Sequence, residues 1–335
     1  MTIEVSACPR RTPNVGRTTT VQHRALGSLE VSVVGLGCNN FGMKLDASGA
    51  RRVVRTALDA GVTFFDTSDV YGDGASEEML GAAVRDVRAR VVLATKFGAR
   101  IGGGKAEGGA SARWIERAVE GSLRRLGTDY IDLYQLHTPD PTVPLEETLT
   151  ALTALVHAGK VREIGCSNFD AELLEEADTL SATGKVARFA SLQNQLSLVH
   201  RDDLDDVLPL CERLGIGFVP YFPLASGLLT GKYRRSEPPP EGARLTTLPK
   251  LAGEVLTDEN FDAVERLASY ADEHGRTLLE LAMAWLAAFS VIPSIIAGAT
   301  QPEQVIANVA GIEWTLSDVQ RDEVTKLAAG LVEAA

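Results

Sequence analysis

Phe64-Phe65-Asp66-Thr67-Ser68-Asp69-Val70-Tyr71-Gly72 is the stretch on which the reading of this chain turns. Two aromatics end an apolar run, a carboxylate follows, and a phenol comes five residues later. A buried strand entering an ordinary capped turn would account for this much, because Asp, Thr and Ser are common wherever a strand hands over to a helix. Two further strand-like runs end in the same unusual way. Val91-Val92-Leu93-Ala94-Thr95 ends at Lys96, and Ile131-Asp132-Leu133-Tyr134-Gln135-Leu136 ends at His137. A carboxylate, a phenol, an amine and an imidazole at the C-terminal ends of strands make a candidate acid/base cluster.

Working outward, strand and helix patterns alternate along the whole chain. Val31 to Gly37 is the first apolar run. Ser48 to Ala60 has helical spacing and stops at Gly61. Thr63 to Asp66 is strand-like. Ser76 to Val84 is helical, with Ser76 as its N-cap and Glu77 and Glu78 in the first turn. Val91 to Lys96 is a strand, Gly98 to Gly109 a glycine-rich loop, Trp114 to Leu126 a helix, Ile131 to Gln135 a strand and Pro144 to His157 a helix. Then come strand 161–167, helix 171–180, strand 189–193, helix 203–214 and strand 217–221. A Pro- and Gly-rich connection fills 222 to about 258, followed by helices 261–274 and 278–288, strand 292–297 and helix 301–309. Eight strands alternating with helices specify a parallel sheet, and eight units favour closure into a single-domain α/β (β/α)8 TIM barrel. An open doubly wound sheet is the rival; no G-x-G-x-x-G follows the first strand, which weakens it.

The bulk numbers agree with one large domain. The chain has 335 residues and is 45% apolar, enough for a large core. Its formal net charge of −12 argues against nucleic acid or an anionic membrane as partner, while a small anion held by a few local cations is compatible with it. Cys8, Cys38, Cys166 and Cys211 form no CxxC pair, as expected of a reduced, cytoplasmic setting. Residues 1–20 lack an apolar core segment and read as a flexible tail, which leaves 21–335 as the barrel domain. The uncharged run Leu281 to Ala299 is broken by Ser290, Pro293, Ser294 and Gly298, so it reads as helix, loop and buried strand and not as a membrane span.

Several motifs fail their own chemistry. Gly102-Gly103-Gly104-Lys105 lacks the first glycine of a phosphate loop, where Ala99 stands, and Ala106 follows the lysine in place of Ser or Thr. It reads as a flexible loop. Gly165-Cys166-Ser167-Asn168-Phe169 ends in Phe where a nucleophile elbow needs Gly. No Cys/His cluster or His-Glu-x-x-His supports a metal. The set Asp66, Tyr71, Lys96 and His137, by contrast, suits carbonyl reduction. The carbonyl oxygen needs a proton, and a phenol with a pKa of ~10 gives one poorly unless tuned. An ammonium nearby lowers that pKa, a carboxylate keeps the ammonium charged, and an imidazole holds the oxygen or passes a proton.

These residues, taken with Gly35-Leu36-Gly37, Ala94-Thr95-Lys96-Phe97-Gly98, Ser122-Leu123-Arg124-Arg125-Leu126-Gly127-Thr128-Asp129-Tyr130-Ile131-Asp132-Leu133, Ile164-Gly165-Cys166-Ser167-Asn168-Phe169, Gln193-Asn194, Tyr221-Phe222-Pro223-Leu224 and Gly227-Leu228-Leu229-Thr230-Gly231-Lys232, resemble the aldo-keto reductase family from about His23 to about Leu327. The branch resembled is a bacterial one close to potassium-channel β subunits and sugar-ketone reductases. The resemblance implies a TIM barrel that transfers hydride from NADPH without a Rossmann domain. It makes Tyr71 the acid/base, with Asp66, Lys96 and His137 around it. It places Ser167, Asn168 and Gln193 on the nicotinamide carboxamide and Tyr221 against the ring. Gly37, Cys38 and Asp66 join the cofactor side, and Pro223, Leu224, Ser226, Gly227, Leu229 and Lys232 cover the pyrophosphate. Gly298, Thr300, Gln304 and Asn308 meet the adenosine end.

That end departs from well-known members, whose Lys-Ser pair and Arg are here Gly298, Ala299 and Gln304. No Lys or Arg occurs from Thr277 to Gln320, which taken alone favours NADH. The channel-β-like arrangement instead supplies Lys232 and Arg244 from the long connection, and NADPH is the cofactor expected on that ground. Further departures are Cys38 where many relatives have Thr, Phe222 for Ser, Leu196 for an aromatic and Ala297 for Pro. The implied activity is reduction of a small aldehyde or ketone, sugar-derived or otherwise. The alternative is a cofactor-bound partner module with little turnover. Substrate-facing loops are expected at Asn39, Asn40, Phe97–Gly109, Pro139–Pro141 and Phe222–Ser226. The sequence names neither the substrate nor an oligomeric state, and an oligomer stays open.

Overall fold

The computed structural model describes residues 21–99 and 108–331. The expected tail at 1–20, most of the glycine-rich loop and the Gly102–Lys105 motif lie outside the described residues. The described residues form ten strands: β1 His23–Leu26, β2 Leu29–Ser32, β3 Val34–Gly37, β4 Phe64–Asp66, β5 Val92–Phe97, β6 Ile131–Leu136, β7 Val161–Ser167, β8 Phe189–Gln193, β9 Gly217–Phe218 and β10 Ile295–Gly298. The last eight form one parallel sheet in the order β10-β3-β4-β5-β6-β7-β8-β9. Its two edges meet, because Tyr221 bridges Ile296 in parallel and the Ile296 N–H donates to the Pro220 carbonyl at 3.0 Å. The fold is therefore the closed (β/α)8 barrel and not the open sheet.

Around it run α1 Ala47–Asp59, α2 Ala75–Val84, α3 Ala112–Leu126, α4 Leu145–His157, α5 Ala171–Ala182, α6 Val207–Leu214, α7 Arg244–Thr247, α8 Pro249–Val255, α9 Asp258–Glu273, α10 Leu278–Ala287, α11 Pro302–Gly311 and α12 Asp318–Ala328. Their starts follow from local chemistry. Asp46, Ser111, Asp170, Thr257, Thr277 and Ser317 each accept a backbone N–H of the first turn through the side chain. Helix α3 ends at Gly127, whose φ of 64° a side chain would resist. Gly81 lets α2 lie against the end of α3, since a Cβ there would stand 2.1 Å from the Leu126 carbonyl oxygen.

Strand periodicity decides what enters the barrel. Phe64, Val92, Ala94, Leu133, Val219 and Ile296 form an inner apolar cluster, while Phe65, Leu93, Tyr134, Ile164 and Leu192 face the helices. Two residues beyond that inner layer, on the same inward register, come Asp66, Lys96 and Gln135. The inner cluster also takes in Leu26, Leu29 and Val31 of the β1–β2 hairpin, which turns at Gly27 with φ 57°. That hairpin packs against one end of the barrel interior and leaves the polar layer at the other.

The structure corrects several expected boundaries. Val31 and Ser32 belong to the hairpin, and the first barrel strand starts at Val34. Ser76 is not an N-cap: Gly74 holds that position with φ 88°, and the buried Ser76 hydroxyl pairs with Thr67 Oγ1 and donates to the Cys38 carbonyl, both at 2.8 Å. The strand expected to Tyr221 ends at Phe218, and that expected from Ile292 starts at Ile295. The long connection contains α7, α8 and a 3-10 segment at Ala225–Thr230. The run from Leu281 to Ala299 is helix, loop and strand as expected, and no described helix is long and apolar enough to cross a membrane.

Candidate active site

The inward register of β4, β5, β6 and β8 brings an acid, a base and two amides into one dry layer. Lys96 Nζ donates to both carboxylate oxygens of Asp66 at 2.7 and 2.6 Å and to the Thr67 carbonyl at 2.9 Å. Gln193 Nε2 and Gln135 Nε2 donate to Asp66 Oδ1 at 3.0 and 3.3 Å. Lys96 is 0% exposed and Asp66 3%. Burial alone drives the ammonium down, but Asp66 and Tyr71 outweigh it and its pKa ends above the usual lysine value. Lys96 therefore stays charged.

Tyr71 stands over this pair, with Lys96 Nζ 5.3 Å from its ring centroid. Its pKa lies above the ordinary phenol value. Burial raises it most, Lys96 lowers it, and Asp66 raises it again. The ammonium depresses the phenol as expected, but it offsets only part of the burial, and the net value stays above the ordinary one. Tyr71 is therefore a neutral O–H at neutral pH. His137 meets it edge to face at 5.8 Å between centroids. Burial first, then Lys96, pushes the imidazole down to about 3, so His137 is neutral. A neutral imidazole offers one N–H and one lone pair.

These groups face a cavity of about 960 Å³. Gly37, Asp66, Tyr71, His137, Ser167, Asn168, Gln193 and Tyr221 line one part of it. Pro223, Leu224, Ser226, Gly227, Lys232, Arg244, Gly298, Thr300, Gln304 and Asn308 line the rest. Two expected contacts are not brought to the wall. Cys38 and Leu229 are both 0% exposed and their side chains belong to the core, so neither offers one to a ligand. Pro139–Pro141 also stay off the lining, whereas Asn39, Asn40, Phe222 and Ser226 are on it. Sequence reasoning missed Lys44, Thr230 and Glu303. Lys44 sits in the loop leaving β3, whose C-terminal position was the available signal.

The wall is held in place by local hydrogen bonds. Asn168 has φ 61°, and its backbone N–H donates to Asn194 Oδ1 at 2.7 Å. Its amide donates to the His137 carbonyl at 2.9 Å, and its Oδ1 accepts from Tyr221 Oη at 2.9 Å. The segment after Tyr221 carries three non-glycine residues in the left-handed region, Phe222, Ala225 and Ser226, followed by Gly227 at φ 96°. Each costs of order 1 kcal/mol or more, a cost usually found at ligand sites. The Arg244 guanidinium lies 4.8 Å from the Phe222 ring, and its Nε is buried without a partner. Lys232, at the rim, is pushed down by desolvation and then by Lys44, so cations crowd where no described carboxylate neutralises them.

Fold and site together define the class: a parallel eightfold barrel with a phenol, an imidazole and a buried Lys–Asp pair at its C-terminal mouth. The family model described as "Aldo/keto reductase family" matches residues 33–329. The chain belongs to that family and is an oxidoreductase by it. A rice protein named a probable voltage-gated potassium channel subunit beta is 34% identical over 307 residues, 88% of this chain and 92% of that one. The holo form of an aldo-keto reductase from Bacillus halodurans aligns with a TM-score of 0.76 and 31% identity, over 94% of this chain and 97% of that one. A glycerol dehydrogenase from Gluconobacter oxydans aligns at 0.79 and 28%, over 94% and 96%.

Removing Lys96 leaves a buried carboxylate with only amide donors. Lys96→Met is expected to cost about 3–5 kcal/mol in denaturant unfolding at pH 7. Adding Asp66→Asn to that variant should recover much of the loss. A single variant within ~1 kcal/mol of the parent would show the pair to be energetically idle.

Proposed function

We propose that this protein is an NADPH-dependent reductase of a small aldehyde or ketone, with Tyr71 as the general acid. One observation carries the reading: a neutral phenol and a neutral imidazole face the same cavity directly above a buried, charged Lys96–Asp66 pair. The fit of a nicotinamide cofactor is supported by the unpartnered Arg244 Nε, the left-handed cradle at Phe222–Gly227 and the polar set Ser167, Asn168 and Gln193. Bound there, the cofactor supplies hydride to the carbonyl carbon.

The protein's own residues do the remaining work. Tyr71 Oη donates its proton to the carbonyl oxygen as negative charge gathers there. Lys96 then stabilises the phenolate through space, and Asp66 keeps Lys96 charged and aimed. His137 aligns the oxygen. Ser167, Asn168 and Gln193 hold the carboxamide, and Tyr221 presents a flat face to the ring. Gly37, Pro223, Leu224, Ser226 and Gly227 form the walls. Lys232 and Arg244, joined by Lys44, meet the phosphates. Gly298, Thr300, Gln304 and Asn308 bound the adenosine end. The second reading, a partner module with little turnover, is favoured by the likeness to the rice protein and opposed by the assembled tetrad.

Tyr71→Phe keeps the ring and removes the proton. Cofactor affinity should hold while carbonyl turnover falls at least a hundredfold, within the ~10²–10⁴ range of positioned acids. Near-parental turnover would remove Tyr71 from the role.

Arg244→Ala tests the phosphate reading. A charge-assisted hydrogen bond is worth about 1.5–3 kcal/mol, so the Kd for NADPH should rise roughly tenfold or more. The Kd for NADH should change much less. Equal losses for both cofactors would show that Arg244 does not read the 2′-phosphate.

A further inference from the structure

The segment between Asp66 and Tyr71 contains two polar residues that the reaction described above leaves unused, Ser68 and Asp69. Ser68 is buried, and its hydroxyl lies 3.1 Å from His137 Nδ1 and 3.2 Å from Asp69 Oδ1. Those contacts form a file, Asp69–Ser68–His137, ending at an imidazole whose Nε2 makes no hydrogen bond among the described residues. A serine hydroxyl has one proton to give. When it donates to an ionised Asp69, Oγ must accept from His137 Nδ1–H, and Nε2 is left as a bare lone pair. When Asp69 carries a proton, it can donate to Ser68 Oγ. The serine then donates to Nδ1, and Nε2 carries the hydrogen.

We propose that Asp69, acting through Ser68, is a positioning residue that sets which nitrogen of His137 bears the proton, and so whether the imidazole presents a donor or an acceptor at the cavity. For its effect on turnover this rests on the reading that His137 meets the carbonyl oxygen. A carbonyl gaining negative charge needs the Nε2–H form. An alcohol giving up its proton is better met by the bare Nε2. The two states differ by one proton, released to solvent from Asp69, while the imidazole stays neutral in both.

The surroundings make Asp69 able to switch. It is half-buried, and its carboxyl is pushed up to about 7. Burial contributes most and Glu77 of α2 adds to it. The Ser68 hydroxyl, Arg125 of α3 and the Val70 N–H pull the other way. Arg125 is committed to Glu77, its Nε donating to Oε2 at 2.6 Å, while Thr95 Oγ1 holds Oε1 at 2.6 Å. From β6 the Tyr134 phenol faces both carboxylates, its own pKa well above the usual value and its hydroxyl buried without a partner. From β5 the Lys96 carbonyl accepts the Asp69 N–H at 3.1 Å. On the His137 side, Lys96 and Tyr71 are the facing groups. Neither changes state near neutrality, because both are raised above their ordinary values.

The test reads the tautomer and the turnover separately. In 15N-labelled protein without cofactor, the His137 signals are assigned by their loss in His137→Asn. They should move from the Nε2–H to the Nδ1–H pattern between pH 6 and pH 8.5, with no imidazolium. Ser68→Ala and Asp69→Asn should each abolish that change. In parallel, kcat/KM for carbonyl reduction should fall about tenfold over the same interval, the size of one lost hydrogen bond of ~1.4 kcal/mol, and Ser68→Ala should flatten the profile. One tautomer throughout, or a transition unaltered in Ser68→Ala, would overturn the proposal. A tautomer change without any turnover would uphold it and remove the reductase reading instead. Turnover without the tautomer change would do the reverse.

Discussion

An ammonium and a carboxylate share a buried layer of the barrel, and the rest of the site is arranged around that fact. Lys96 and Asp66 sit on neighbouring parallel strands, each on the inward register, two residues past the apolar filling of Phe64 and Ala94. Neither charge could be buried alone, since an uncompensated one costs several kcal/mol. Together, with Gln193, Gln135 and the Thr67 carbonyl saturating them, they hold a fixed positive charge beneath Tyr71. The same charge acts on both neighbours in the useful direction: it works against burial at Tyr71 and with burial at His137, keeping the imidazole neutral.

The barrel follows from simple rules. Strands buried on both faces read as apolar runs, and turn residues punctuate them. For that reason Asp66, Lys96 and His137 stood out in the sequence: each lies at or just past the C-terminal end of a strand-like run, and strand ends of a parallel barrel converge. That Ser167, Asn168, Gln193 and Tyr221 line the cavity was legible on the same ground, and the roles proposed for them come from the family resemblance. Cys38 and Leu229 were misplaced because a strand-end or loop position does not fix which way a side chain turns. Both turn to the core.

What stayed illegible depends on three-dimensional neighbours or on backbone angles. The net direction of the Tyr71 pKa is a contest between burial and Lys96, and spacing in a sequence carries no burial. The left-handed backbone of Phe222, Ala225 and Ser226 runs against the preference of those residues, so no local propensity announces it. Lys44 reaches the cavity from a loop with no phosphate-binding pattern. The end of the β1–β2 hairpin was absorbed into the first apolar run because Val31 continues the hydrophobicity of Val33 and Val34. Ser68 looked like turn filler until His137, 69 residues away, was found beside it.

If the buried pair organises a reducing site, the clearest measurement follows deuterium carried at C4 of the reduced nicotinamide cofactor while the protein converts a simple ketone. The alcohol formed should carry the label on its carbinol carbon in a single configuration, and Lys96→Met protein that is still folded should form little or none. Alcohol free of the label, or labelled alcohol made by Lys96→Met at the parental rate, would contradict it.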